Sequence, residues 1–173
     1  MKKIILLILA LLLTGCYDNT ELNNLAIVEG LGIDYVDNEY ELTFEILDSY
    51  NRENGSSFKS YTFNGKGANL TDAFSNTMNK IGQKVTYLHL KVLVIDENIA
   101  KEHLKDIIDY LLRDTNIRIE FVFLIAKHTS AKEILNNTST KVPVVSDMLS
   151  NLILNNQFNN DIAIKETFDQ IIS

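Results

Sequence analysis

The chain has 173 residues, is 46% hydrophobic and carries 16 Lys+Arg against 23 Asp+Glu, a formal charge of -7. That length suits one ordinary domain with a real core, and is too short for a two-lobed clamshell or a polytopic transporter. The acid excess, with no Lys/Arg run to offset it locally, disfavours nucleic acid as a partner.

Lys2 and Lys3 precede ten uninterrupted apolar residues, Ile4 to Leu13. A membrane-spanning helix needs roughly 20 apolar residues, so ten read as the core of a signal peptide. Leu13-Thr14-Gly15-Cys16 follows and matches the bacterial lipobox. The small residues suit a narrow peptidase site, and diacylglycerol would join the Cys16 sulfur, with an N-acyl chain on the new terminus. No other cofactor is expected. Cys16 is the only cysteine, which excludes an intrachain disulfide. Cleavage before Cys16 removes fifteen residues and two lysines, leaving 158 residues at -9. Anionic headgroups would not hold so acidic a body, so acyl chains must anchor it.

Residues 16–24 read as a tether. Leu25 to Asp34 reads as a strand, kinked or closely approached at Gly30 and Gly32. Residues 36–39 form a turn, and Tyr40 to Leu47 the second strand of a hairpin, with Leu42, Phe44 and Ile46 on one face. A polar loop covers 51–57 and a third strand 58–64. Asn64-Gly65-Lys66-Gly67 lacks the ending of a phosphate loop and reads as a turn. Leu70, Ala73, Phe74, Thr77, Met78 and Ile81 form a helical stripe, capped by Asn69 and stopped by Gly82. Val85 to Ile95 reads as one strand covered on both faces. Asp96 or Asn98 then caps a single helix carrying Ile99, Leu104, Ile107, Ile108, Leu111 and Leu112, and Ile117 to Ala126 is another strand. Ser130 with Glu133 matches a capping box. A loop over 136–142 and a helix over 146–156 follow.

The expected fold is α/β (α+β): a mixed sheet with an N-terminal antiparallel hairpin, a βαβαβ run from 58 to 126, and helices packed on the sheet. The expected domains are a signal peptide at 1–15, the tether, a mixed-sheet domain at 25–140, and a helical continuation at 141–173. The uncapped ending Ile171-Ile172-Ser173 suggests the front part of a longer chain.

Catalytic patterns are absent from the sequence. His89, His103 and His128 lack zinc-site spacing. No Gly-x-Ser-x-Gly elbow occurs, and Glu29-Gly30-Leu31-Gly32 lacks the third glycine of a dinucleotide loop. Arg113-Asp114 and Arg118-Glu120 read as surface ion pairs, with ligand binding as the alternative.

The lipobox, Tyr17-Asp18, Glu21-Leu22, Ala26-Ile27-Val28, Gly30 and Gly32-Ile33-Asp34 together resemble the start of the Ger(x)C family of spore germination lipoproteins. Leu88-His89-Leu90-Lys91-Val92 resembles its His-Leu-Lys strand. Leu112-Arg113-Asp114 with Ile117-Arg118 resembles its Leu-Arg-Asp…Ile-Arg segment, and 131–135 its next short helix. Tyr17 replaces the usual Trp, and Asn19-Thr20 the usual Arg. Such proteins are about twice this length, so the resemblance implies an N-terminal portion. It also implies a non-enzymatic subunit of a nutrient germinant receptor, tethered through Cys16 to the outer face of the spore inner membrane and assembled with A and B membrane subunits. His89, Lys91, Arg113 and Arg118 are then interface candidates, with ordinary internal pairing as the competing account. A small-ligand-binding lipoprotein of an importer is the alternative function.

Overall fold

The computed structural model describes residues 25–48, 59–113, 117–118, 120–136 and 142–154. The lipobox with Cys16, the tether, the 51–57 loop, Phe58, Asp114, most of the 136–142 loop and everything after Leu154 lie outside the described residues. Strands β1 (Leu25–Val36), β2 (Glu39–Leu47) and β3 (Ser60–Gly67) precede helix α1 (Leu70–Ile81). Strands β4 (Lys84–Thr86) and β5 (Val92–Asp96) lead into α2 (Glu97–Glu102) and α3 (Leu104–Arg113). Strand β6 (Val122–Ala126), α4 (Ala131–Asn136) and α5 (Val145–Leu154) complete the described elements.

The sheet is mixed and six-stranded, ordered β3-β2-β1-β5-β6, with β4 paired to the start of β1. β1–β2 and β2–β3 are antiparallel, while β1–β5 and β5–β6 are parallel. The expected hairpin is present. Asp37 and Asn38 turn it with φ of 55° and 67°, the left-handed pair that matches strand twist in a two-residue turn. The register of β1 slips between Val28 and Gly30, a bulge beside the close approach expected at Gly30.

One face of the sheet is apolar. Leu31, Ile33, Leu42, Phe44, Leu93 and Ile95 are buried there with Phe74 of α1, Ile99 of α2 and Ile107 and Leu111 of α3. Phe44 lies 5.6 Å from both Phe74 and Tyr87, joining β2, α1 and the β4–β5 loop. α1 follows its sequence reading, with Asp72 N–H donating to the Asn69 cap and Gly82 left-handed at φ 68°. Met78 alone leaves the stripe, because it faces solvent.

Five expectations are corrected. The run 85–95 is two strands, because five residues separate Thr86 from Val92 while only two separate their partners Ile27 and Gly30. Tyr87 and Leu90 dip from the intervening loop into the core, so they are apolar without being strand. The helix after Asp96 breaks at His103, whose N–H still reaches Ile99 O while its carbonyl starts α3. β6 is shorter than expected, starting only at Val122. β3 runs on through Gly67, so 64–67 is strand rather than turn. A Cβ on Gly65 would sit 2.7 Å from the Thr77 backbone nitrogen, which explains glycine where α1 crosses β3. β3 is also separated from β5 by β2 and β1, so the βαβαβ run is not a row of neighbours.

Candidate functional site

The second face of the sheet carries buried acids. Asp34 on β1 and Glu41 and Glu45 on β2 are all buried, under α4 and α5, with Thr43 buried between the two glutamates. Leu135 and Ala131 of α4 press onto Gly30 and Gly32, where an added Cβ would meet them at 3.1–3.2 Å. Their missing side chains let α4 sit directly on β1.

Each acid has a defined task. Asp34 accepts from Ala131 N–H at 2.7 Å and Lys132 N–H at 2.9 Å, capping α4 from 97 residues away. Ser130 and Glu133 form the expected capping box on the same turn, so α4 is capped both locally and remotely. Glu45 accepts from Val145 N–H at 2.7 Å and Ser146 N–H at 2.8 Å. α5 needs this, because Val144 precedes it and supplies no side-chain oxygen. Ser60 Oγ lies 2.6 Å from Glu45 and 2.9 Å from the Pro143 carbonyl, tying β3 to the approach to α5. Glu41 pairs with Lys132 at 2.6 Å. Carboxylates at helix N-termini also complement the helix dipole.

Burial pushes the Asp34 carboxyl above its ordinary value despite the two N–H donors that oppose it. Burial likewise raises Glu29. Its Oε1 meets Lys91 Nζ at 2.9 Å, while Oε2 is buried without a hydrogen-bond partner among the described residues. Lys91 also reaches Asp147 of α5 at 2.5 Å. Burial acts to lower Lys91, but its bonds to Asp147 and Glu29 outweigh that and raise it.

The four predicted interface residues divide. Lys91 precedes β5 and is held between Glu29 and Asp147. His89 is exposed on the β4–β5 loop beside Leu88, outside any strand. Arg113 is exposed at the end of α3, and Arg118 is exposed before β6. Topology brings these three to one end of the sheet, since Val122 N–H bonds Lys91 O at 2.8 Å and α3 returns toward that end. Sequence reasoning missed Glu29, Glu41 and Glu45, and placed Asp34 in the family motif without its role as a helix cap. Their signal was the period-2 acids of β2 together with an α5 that has no local cap.

Among the described residues, no group of three or more His, Cys, Asp or Glu side chains could hold a metal. No described helix is long and apolar enough to cross a membrane. The acids under α4 and α5 are consumed by helix N–H groups and lysines, which makes them clamps.

Comparison with protein families matches residues 18–173 to the spore germination protein N-terminal domain. The chain belongs to this family. Spore germination protein KC of Bacillus subtilis (strain 168) is 30% identical over 141 residues, which is 76% of this chain and 35% of that protein. The putative spore germination protein YfkR of the same strain is 24% identical over 161 residues, 88% of this chain and 42% of that protein. Spore germination protein B3, also of that strain, is 25% identical over 169 residues, 94% of this chain and 45% of that protein. The chain thus spans less than half the length of these relatives. No solved structure matches it. The family match begins two residues past Cys16 and takes in both the carboxylate face and the end bearing His89, Arg113 and Arg118. In this member of the family, the Leu-His-Leu-Lys motif is a loop entering β5, and Leu-Arg closes α3.

Proposed function

We propose that this chain is the N-terminal domain of a lipid-anchored, non-catalytic subunit of a spore nutrient germinant receptor. It acts in germination through contacts with the receptor's A and B membrane subunits. The observation that carries this reading is the family match, which covers nearly all of the chain after the lipobox. Cys16 bears the lipid and places the domain on the outer face of the spore inner membrane. The domain acts as a rigid scaffold, in keeping with two helices pinned to the sheet by buried carboxylates. His89, Arg113 and Arg118 are its exposed polar contacts, while Lys91 braces them by holding β5 to α5.

The test replaces Cys16 with Ala in the full-length protein and follows membrane fractionation and nutrient-triggered germination. Loss of both supports the reading. Unchanged membrane attachment would sink the anchor. Normal germination in a strain lacking this subunit and its paralogues would sink the receptor role.

A further inference from the structure

Charge is not spread evenly along the sheet. Leu25 pairs with Lys84 and Val28 with Ile46, so the end where β1 begins also holds the close of β2, the opening of β3 and the starts of β5 and β6. Exposed there are Lys59, Lys84, Arg113 and Arg118, together with Leu88 at 46% and Leu112 at 43% exposure. Described acids at that end are Glu120, the half-buried Asp48, and Asp147, which is paired with Lys91. The opposite end exposes Asp37, Glu39, Glu102 and Asp106 together with Lys66, Lys101, Lys105 and Lys127, around the hairpin, the close of β3 and β6, the end of α2 and the start of α3, so its charges are mixed. An acidic chain therefore has one basic, partly apolar end.

That end is also the one where the chain from Cys16 joins β1 at Leu25. The nine residues from Cys16 to Leu25 reach at most about 30 Å. The five strands in the sheet path span about 20 Å, so a bilayer under the tether faces basic groups across the whole width. The hairpin end, where acids and lysines are mixed, lies roughly 35–40 Å further along β1, several screening lengths away at physiological salt. Net charge therefore does not decide how the domain meets a charged surface.

Resting on the reading that Cys16 carries lipid, we propose that this end of the sheet docks on an anionic phospholipid surface. Leu88 and Leu112 enter the headgroup layer, and Lys59, Lys84, Arg113 and Arg118 face lipid phosphates. Docking fixes the domain upright, with the hairpin end pointing away from the bilayer.

The test uses the full-length lipidated protein in vesicles of mixed anionic and zwitterionic phospholipid. Cys16 is the only cysteine in this chain and its sulfur is taken by lipid. In a full-length protein otherwise free of cysteine, Leu88→Cys or Glu39→Cys therefore adds one labelling site at either end. A quencher carried on the headgroup should quench the Leu88→Cys label several-fold more than the Glu39→Cys label. The contrast should fall in purely zwitterionic vesicles, in 0.5 M salt, and in a variant with Arg113→Glu and Arg118→Glu. Equal quenching of vesicle-bound protein overturns the docking alone, as does a contrast indifferent to lipid charge and salt. A contrast seen only in native membranes holding the other receptor subunits overturns it in favour of a protein partner. Protein left in the supernatant overturns the anchor and the docking together.

Discussion

On one face of the sheet, Leu31, Ile33, Phe44 and Leu93 meet α1, α2 and α3 through apolar contact, whereas on the other Asp34, Glu41 and Glu45 hold α4 and α5 through charge. The second face has apolar contacts too, with Val92, Val94, Ala131, Leu135 and Val145 buried together. Those residues lie along β5 and the helices, while the β1–β2 half of that face is polar. Apolar burial is strong and non-directional. Buried carboxylates are directional: each fits few donors and tolerates little displacement. The first arrangement sets how much stability the domain has, and the second fixes where two short helices sit.

Removing the centre of the apolar face should have the largest effect. Phe44→Ala deletes a fully buried ring packed on Phe74 and Tyr87. It should cost about 4 kcal/mol and lower the denaturant midpoint of the whole domain. A midpoint shift under 1 kcal/mol would mean that this face is not the main source of stability.

Glu45→Ala should cost about 3 kcal/mol, because Val145 N–H and Ser146 N–H lose a charged acceptor in a buried setting. Its signature should differ from that of Phe44→Ala. Amide exchange should speed up in α5 well before it does in β1, β2 and β5. Uniform loss of protection across both faces would contradict the division of labour.

This contrast explains what the sequence could tell. α1 was legible from its stripe to both caps, because all of its signals are local. So was the hairpin, whose turn and alternation agree. The alternation of β2 separated Leu42, Phe44 and Ile46 from Glu41, Thr43 and Glu45, but period two cannot say whether the polar side meets water or two further helices. Asp34 caps a helix 97 residues on, and Glu29 waits for Lys91, so no local window contains either pair. Val85 to Ile95 misled for a related reason. Tyr87 and Leu90 are apolar because a loop folds them into the core, and burial without strand geometry looks the same in a hydrophobicity pattern. The exposed end with His89, Arg113 and Arg118 drew notice through the family resemblance, but its unity rests on sheet topology.

Titration offers a smaller effect that separates the faces, since among the described residues the apolar one holds no comparable carboxylate. The folded-state value of Glu29 is raised above 4.5, chiefly by burial. Any stability linked to its protonation is complete below 4.5 and is lost as pH rises through the folded-state value. Wild type should therefore lose stability relative to Glu29→Gln as pH climbs above 4.5, and the difference should then level off. Lys91 is raised above 10.5, so the stability it adds persists to about that pH and fades beyond it. Chemical denaturation of wild type, Glu29→Gln and Lys91→Met across pH 4 to 11.5 measures both trends. A gap between wild type and Glu29→Gln that moves in favour of wild type above pH 4.5 would show that Lys91 stabilises the anion more than burial penalises it.

The smallest expected effect tests whether α4 needs two caps. Ser130 Oγ accepts only Glu133 N–H, while Asp34 holds Ala131 and Lys132. Ser130→Ala should therefore cost about 0.5 kcal/mol, at the low end for a lost N-cap. Asp34→Ala should cost about 2 kcal/mol, because one buried and one half-buried N–H group are left without an acceptor. If both caps fix the same helical turn, the double variant should cost less than the two losses added together, since a turn frayed by losing Asp34 has little left for Ser130 to hold. Strict additivity would mean that Gly30 and Gly32, by admitting Leu135 and Ala131, seat α4 by packing alone. The two faces would then be held by the same physics.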